Sequence, residues 1–536
     1  MLFAGLVLLW ACQKNGPPST TDISAARLAA HVRFLSDDLM EGRGVASRGE
    51  ALATAYIASQ FELLGLEPAG DQATWFQRVP LVGVETLSAS VLSLNERPLQ
   101  LLDEYVGVSH RQQPEAILDA PVLFVGHGIV APEFQWDDYK GADVKGKIVV
   151  LFTNEPESND PKFFGGPSLT YYGRWTYKYE EAARQGALAC LIIHTDKTAG
   201  YGWPVVRNSW SHRQPLVRLA EGESALAFAG WVTEQVGDRI LSSIKKSAAG
   251  MREQAGARSS PPIPLPSRLR GRIRSAVSPM DTRNVVAKLP GSHPQLKQEA
   301  VLYTAHWDHL GIGTPVNGDS IYNGAVDNAT GCGMLLETAR AFASLNSRPA
   351  RSILFAAVGA EEGGLRGSEF YGRHPAVPAA LTAVNLNYDG LFPFGRTTDI
   401  TLLGYQRTTL AELVEKTARS FRFQILPDPR PEQGSYYRSD HFSLARVGIP
   451  AFSLGIGTDY VGKPPGWGQQ IFEDYNRKHY HQPSDQFDPG WDFSGLAELA
   501  RFGLHLGLEI AKLPQLPTWQ PGDEFLPARE KSRARP

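Results

Sequence analysis

The chain has 536 residues, 42% of them hydrophobic and 20% charged, a balance that suits a globular protein of two to four domains and excludes a disordered or fibrous one. Its 53 Lys and Arg against 56 Asp and Glu leave a formal net charge of −3, so no global basic field recruits nucleic acid. Three cysteines, Cys12, Cys190 and Cys332, are too few and too scattered for a disulfide framework.

In chain order, Leu2 to Ala11 is an apolar run too short to cross a bilayer, and it ends in Leu9-Trp10-Ala11-Cys12. This resembles a bacterial lipoprotein signal, which implies lipidation at Cys12 and a protein of the cell envelope that meets the membrane only there; a plain secretory signal is the other reading. The polar stretch after Cys12 reads as a tether, so residues 1–21 are assigned to signal and tether. Ala25, Leu28, Ala29, Val32 and Leu35 recur at helical spacing, and a second helix is expected from Gly49 to Leu64, closed by Gly65. Residues 22–84 thus form a helical layer.

Residues 85–281 lack any metal-binding pattern and read as an inserted unit. Its β-runs are Pro121 to Val130, Gly146 to Phe152 and Ala187 to Ile193, with a helix over Lys178 to Gly186. His127 and His194 lie in it and are expected to be structural. The proline-rich Ser259 to Pro266 is expected to be a return linker outside helix and central sheet, and Arg268 to Arg274 a solvated basic tract. From Thr282 to Leu513 strands alternate with helices, which predicts an α/β fold with a mostly parallel, mixed sheet covered by helices on both faces. Leu496 to Leu513 is its closing helix, and residues 514–536 are expected to be a loose tail.

The chemistry gathers at the strand ends. Ala300 to Ala305 reads as a buried strand running into His306-Trp307-Asp308-His309, and in an open α/β sheet ligands bind at the carboxyl ends of strands. Asp308 shares a face with His306 and can orient its ring or a neighbouring group; His309 points elsewhere, as a loop histidine. Asp327 precedes a helix carrying Met334, Leu335, Thr338, Ala339 and Phe342. The strand Ser352 to Val358 ends in Glu361-Glu362, and Ala383 to Asn387 ends in Tyr388-Asp389. Last comes the loop Lys478-His479-Tyr480-His481, continuing to Asp485. Imidazoles and carboxylates without a thiolate suit zinc and accept cobalt or manganese.

This order and spacing resemble the M28 family of co-catalytic zinc peptidases. The resemblance implies a zinc-exopeptidase fold with two zinc ions per chain, His306 and Asp389 on one, Glu362 and His481 on the other, and Asp327 between them. It implies Glu361 as general base, Asp308 as orienting carboxylate, Asp485 as support for His481, and a cis peptide bond after Asp327. Tyr436, in Tyr436-Tyr437-Arg438-Ser439-Asp440-His441, is similarly placed as a hydrogen-bond donor to the oxyanion, with Ser439 to His441 holding the loop. Asp38 to Arg43 with Gly49 resembles the segment that opens such domains. Strand, Lys145-Gly146-Lys147-Ile148-Val149-Val150, helix and strand in the inserted unit resemble a protease-associated domain. The implied activity is aminopeptidase action on peptides; alternatives of the same fold are a glutamate-releasing carboxypeptidase and a single-zinc glutaminyl cyclase. An inactive binding ectodomain is the alternative of another class.

Overall fold

Apolar, β-branched runs between helices pair into one nine-stranded mixed sheet. The computed structural model describes residues 23–534 apart from 161, 221 and 258–260, so Cys12 and the signal-and-tether assignment lie outside the described residues. Across the sheet the order is Glu67–Pro68, Thr282–Leu289, Ser352–Val358, Ala300–His306, Thr382–Asn387, Ala451–Ile456, Asp399–Leu403, Gln424–Leu426, with Phe76–Val79 joined to Thr282–Leu289. The four strands from Ser352–Val358 to Ala451–Ile456 are parallel. Helices Ala25–Leu35, Arg48–Leu63, Thr330–Ala343 and Ser494–Lys512 bury Leu28, Val32, Ile57, Phe61, Leu335 and Phe502 against one face. Tyr371 and Leu444, from helices Arg366–Arg373 and His441–Arg446, cover Leu302 and Leu354 on the other. This is the expected α/β sheet with helices on both faces.

At Leu81–Thr86 the chain passes into a second, ten-stranded sheet and returns through Ile263–Pro279, with Met280 N–H donating to the Leu81 carbonyl where the two crossings meet. Its centre is a parallel set, Glu115–Phe124, Ile148–Phe152, Ala189–Ile193 and Phe228–Val232.

One expectation for this region fails, and the solvated basic tract proves to be part of a strand. The stretch read as a return linker opens the 17-residue strand Ile263–Pro279. Pro264 and Pro266 are accommodated because this end pairs on one side only, with Phe124 to Val122, and a register shift follows between Leu265 and Arg268. The basic tract is the outer face of the same strand: Arg268 and Arg270 pair with Asp119, and Arg272 pairs with Glu115, while Leu269 and Ile273 face the core.

The tail is packed as well. Trp519 is 1% exposed and donates to the Gly448 carbonyl, and Arg529, on the helix Leu526–Ala534, is fully buried with donations to the Ala379 and Pro517 carbonyls. Among the described residues no helix is long and apolar enough to cross a membrane.

Candidate metal centre

Register builds the centre. His306 pairs beside Val358 and Thr304 beside Asn387, so three parallel strands end at one level and deliver His306, Glu361 with Glu362, and Asp389 to the same edge. Asp327 enters from the irregular turn Ala325–Ala329, ahead of Thr330–Ala343, and the Asp327–Asn328 bond is cis. Gly324 opens this turn at φ 58°, where an added Cβ would meet the Asp327 carbonyl at 2.2 Å and the His309 ring at 2.5 Å.

The Asp327 carboxylate stands between two imidazoles. Its Oδ1 is 3.3 Å from His306 Nε2 and its Oδ2 3.4 Å from His481 Nε2. Asp389 Oδ1 lies 3.2 Å from His306 Nε2, Glu362 Oε2 lies 3.1 Å from His481 Nε2, and Glu361 Oε2 is farther off, 3.9 Å from His306 Nε2. Donors at about 2.0–2.2 Å from one tetrahedral zinc stand about 3.3 Å apart, so both clusters fit an ion.

The histidine tautomers agree with this. His306 Nδ1 is 3.1 Å from the Asp308 carbonyl, which only a protonated Nδ1 satisfies, leaving the Nε2 lone pair to the carboxylates. His481 Nδ1 is 2.6 Å from Ser209 Oγ, and that hydroxyl spends its own proton on the Val205 carbonyl. His481 Nδ1 therefore donates, and Nε2, buried and without a hydrogen-bond partner, faces carboxylate oxygens. Burial alone lowers the His481 pKa, but Glu362 and Asp327 push it up to about 10.

The adjacent glutamates are driven apart. Burial, then the charges of Asp389 and Glu362, hold Glu361 well above the usual carboxylate range in spite of His306. Burial raises Glu362 too, yet His481 and His309 bring it down to about 2. One carboxyl holds a proton readily while its neighbour stays ionised, a division suited to a base beside a ligand.

Supporting groups fall partly where expected. Buried Asp308 orients His306 through its carbonyl, while its carboxylate accepts the Glu361 and Glu362 backbone N–H groups at 3.1 and 3.4 Å; burial pushes it up to about 7. Ser439 donates to Asp389 Oδ2 and accepts from Asn387 Nδ2.

Three expectations are corrected. Tyr436 does not reach the centre: its hydroxyl donates to the Ala451 carbonyl at 3.1 Å, and its ring packs against His441 and Phe525. Asp485 supports Asp327, not His481, because its carboxylate accepts the Val326 and Asp327 N–H groups and the Tyr475 hydroxyl. His309 is no free loop histidine. Its side chain is fully buried with Nδ1 2.6 Å from Glu362 Oε1, and with Asp327 and Glu362 it forms a group of donors close enough to share an ion. The strand ends at His306, so the alternation that turned His309 away no longer holds beyond it.

Sequence reasoning also missed Ser209 and Asn208. They lie on Trp203–Trp210 of the inserted unit, and Asn208 Nδ2 donates to the His481 carbonyl at 3.0 Å. No motif marks them; the contact spans 272 residues for Ser209 and exists only once the units fold together. The opening segment matters likewise: Arg43, 1% exposed, donates to the Leu35, Trp307, Asn323 and Gly324 carbonyls, clamping the loops that carry His306 and Asp327.

A sheet edge offering imidazoles and carboxylates in two clusters suits metal-assisted hydrolysis. Residues 284–502 match Peptidase family M28. Leupeptin-inactivating enzyme 1 of Streptomyces exfoliatus is 28% identical over 206 residues, 38% of this chain and 42% of that protein, so the match spans less than half the length of that curated relative. Among solved structures, an aminopeptidase from Aneurinibacillus sp. strain AM-1 shares the fold with TM-score 0.55 and 19% identity, covering 94% of this chain and 97% of that one. The zinc aminopeptidase BSAP of Bacillus subtilis aligns with TM-score 0.50 and 17% identity over 94% of this chain and 99% of its own.

Proposed function

We propose that the chain is a two-zinc aminopeptidase that removes N-terminal residues from peptides. The observation that carries the reading is the Asp327 carboxylate with one oxygen toward each histidine, flanked by Asp389 on one side and Glu362 on the other. In this reading His306 and Asp389 would hold one ion and Glu362 and His481 the other, with Asp327 available to both. Zinc bound there supplies a Lewis acid for the scissile carbonyl and makes a nearby water more acidic. Glu361 accepts that water's proton at Oε2 and passes it to the leaving amine. Asp308 fixes the backbone of both glutamates, so the base and the neighbouring ligand keep their separate directions. Ser439 steadies Asp389, and Ser209 fixes the His481 ring.

That all five ligand candidates and Glu361 meet at one edge favours an enzyme over a silent binding ectodomain. The inserted unit, proposed to be of the protease-associated kind, walls the cleft through Tyr201 and braces His481. Attachment to the cell envelope through lipidated Cys12 belongs to the same reading, and mass spectrometry of the mature N-terminus tests it.

The test of the activity is elemental analysis paired with hydrolysis of aminoacyl-anilides before and after chelation. About two zinc per chain and chelator-sensitive release are expected. One zinc with no anilide cleavage would turn the reading to the cyclase alternative.

A further inference from the structure

Beside the candidate ligands lies a cleft of about 300 Å³ lined by Tyr201 of the inserted unit together with Arg430, Arg438 and Tyr480, and by Asp327, Glu361 and Asp389 of the candidate centre. Arg438 directly precedes Ser439, which holds Asp389. Its guanidinium sits over the Tyr201 ring, 5.4 Å from the centroid, with the Tyr480 phenol beside it. Arg430 lies 3.8 Å over the Phe472 ring. Arg174, from the inserted unit, is near enough that burial and then the Arg438 charge bring it down to about 10.

All three arginines are half-buried, and among the described residues none forms an ion pair with a carboxylate of the protein. Beyond the metal-centre carboxylates the cleft lining includes one acid, Asp428, whose carboxylate is occupied by the Arg430 backbone N–H. Nearby acids act on them only at a distance, Glu361 on Arg438 and Arg174, and Glu432, Asp428 and Glu473 on Arg430, so no carboxylate of the protein fills a guanidinium fork in this confined space. A guanidinium in such a place is built to take a planar anion through two parallel hydrogen bonds.

We propose that Arg438, backed by Arg430 and Arg174, forms a carboxylate-binding subsite, so that the favoured substrates are peptides with a carboxylate within one residue of the scissile bond. This rests on the two-zinc peptidase reading and adds the substrate class. The carboxylate has two sources: the free α-carboxylate of a dipeptide, or an acidic side chain beside the cleaved bond.

The experiment compares kcat/KM of the zinc-loaded enzyme for Leu-Leu, Leu-Leu-amide, Leu-Glu-amide and Glu-Leu-amide. At least one carboxylate-bearing peptide is expected to exceed Leu-Leu-amide by about tenfold to a hundredfold, the worth of a charge-assisted hydrogen bond. An advantage for Leu-Leu identifies the α-carboxylate, and one for either glutamyl amide identifies a side chain. In Arg438→Gln the ratio of favoured peptide to Leu-Leu-amide collapses toward unity, while Arg438→Lys, which keeps the charge and loses the fork, retains part of it. Leu-Leu-amide cleaved as fast as every carboxylate-bearing form by the wild type overturns the subsite and leaves the peptidase reading standing. So does a ratio untouched in a folded Arg438→Gln. No cleavage of any of the four peptides overturns both.

Discussion

Ser209→Ala should weaken zinc binding at the His481 position without unfolding the protein. The wild-type hydroxyl donates to the Val205 carbonyl and accepts from His481 Nδ1 at 2.6 Å, so it allows only the tautomer whose Nε2 lone pair faces Glu362 and Asp327. Alanine leaves a buried N–H without an acceptor, worth about 1–3 kcal/mol. Groups that orient metal-binding histidines commonly contribute about 10–100-fold in affinity, or about 1.4–2.7 kcal/mol, the same scale. Asn208 still holds the His481 backbone at 3.0 Å, so the loop stays in place and the loss falls on ring orientation. The assay is zinc titration of the stripped enzyme against a competing chelator, fitted with two sites. One site is expected to weaken by about tenfold or more while the site at His306 holds, and Ser209→Thr should restore the loss. Two unchanged affinities in a folded Ser209→Ala would refute the reasoning.

Other expectations follow from the same geometry. Glu361→Gln should keep both metals, since Glu361, although grouped with His306 and Asp389, lies 3.9 Å from His306 Nε2 while Asp327 and Asp389 lie closer, and lose turnover by at least about 100-fold; zinc content and anilide hydrolysis on one preparation check this. Arg43→Met should cost at least about 3 kcal/mol in urea unfolding, because four buried carbonyls lose their donor, and zinc affinity should fall with it; an unchanged midpoint contradicts the clamp. Burial pushes His110 down to about 4 and His127 and His441 down to about 3. Such groups leave stability intact above pH ~6.5 and erode it as the pH falls below, since the unfolded chain takes up protons that the folded one refuses. Unfolding of the chelated protein followed from pH 7 to 5 should show that decline, and His127→Leu should make it shallower by about 1.4 kcal/mol per pH unit.

What the sequence disclosed was chemistry attached to regular strands. His306, Glu361, Glu362 and Asp389 are legible because each follows an apolar run that must be a buried strand, and parallel strands deliver their ends to one edge. Where periodicity stops, inference from it stops too. His309 sits beyond the end of its strand and turns inward to Glu362, and Asp485 meets the Asp327 backbone through a turn no alternation rule describes. Tyr436 lies next to a segment that does reach the centre, but its one-turn helix Ser435–Tyr437 sends the ring into an aromatic cluster with Phe525. Composition misled at the return end of the inserted unit and in the tail. Prolines at Pro264 and Pro266 fit a strand end paired on one side, and the basic ending of the chain carries an arginine, Arg529, that is buried by its carbonyl partners. Ser209 was beyond reach, because a helix in one unit and a loop in the other meet only in the folded chain.

The central claim is that Asp327 lies between two zinc ions, and anomalous diffraction at the zinc edge from crystals of the zinc-loaded protein tests it most directly. The account predicts two peaks, one against His306 and Asp389 and one against Glu362 and His481, each touching a different oxygen of Asp327. A single peak at saturating zinc, or two peaks with the Asp327 carboxylate turned away from either, would contradict it.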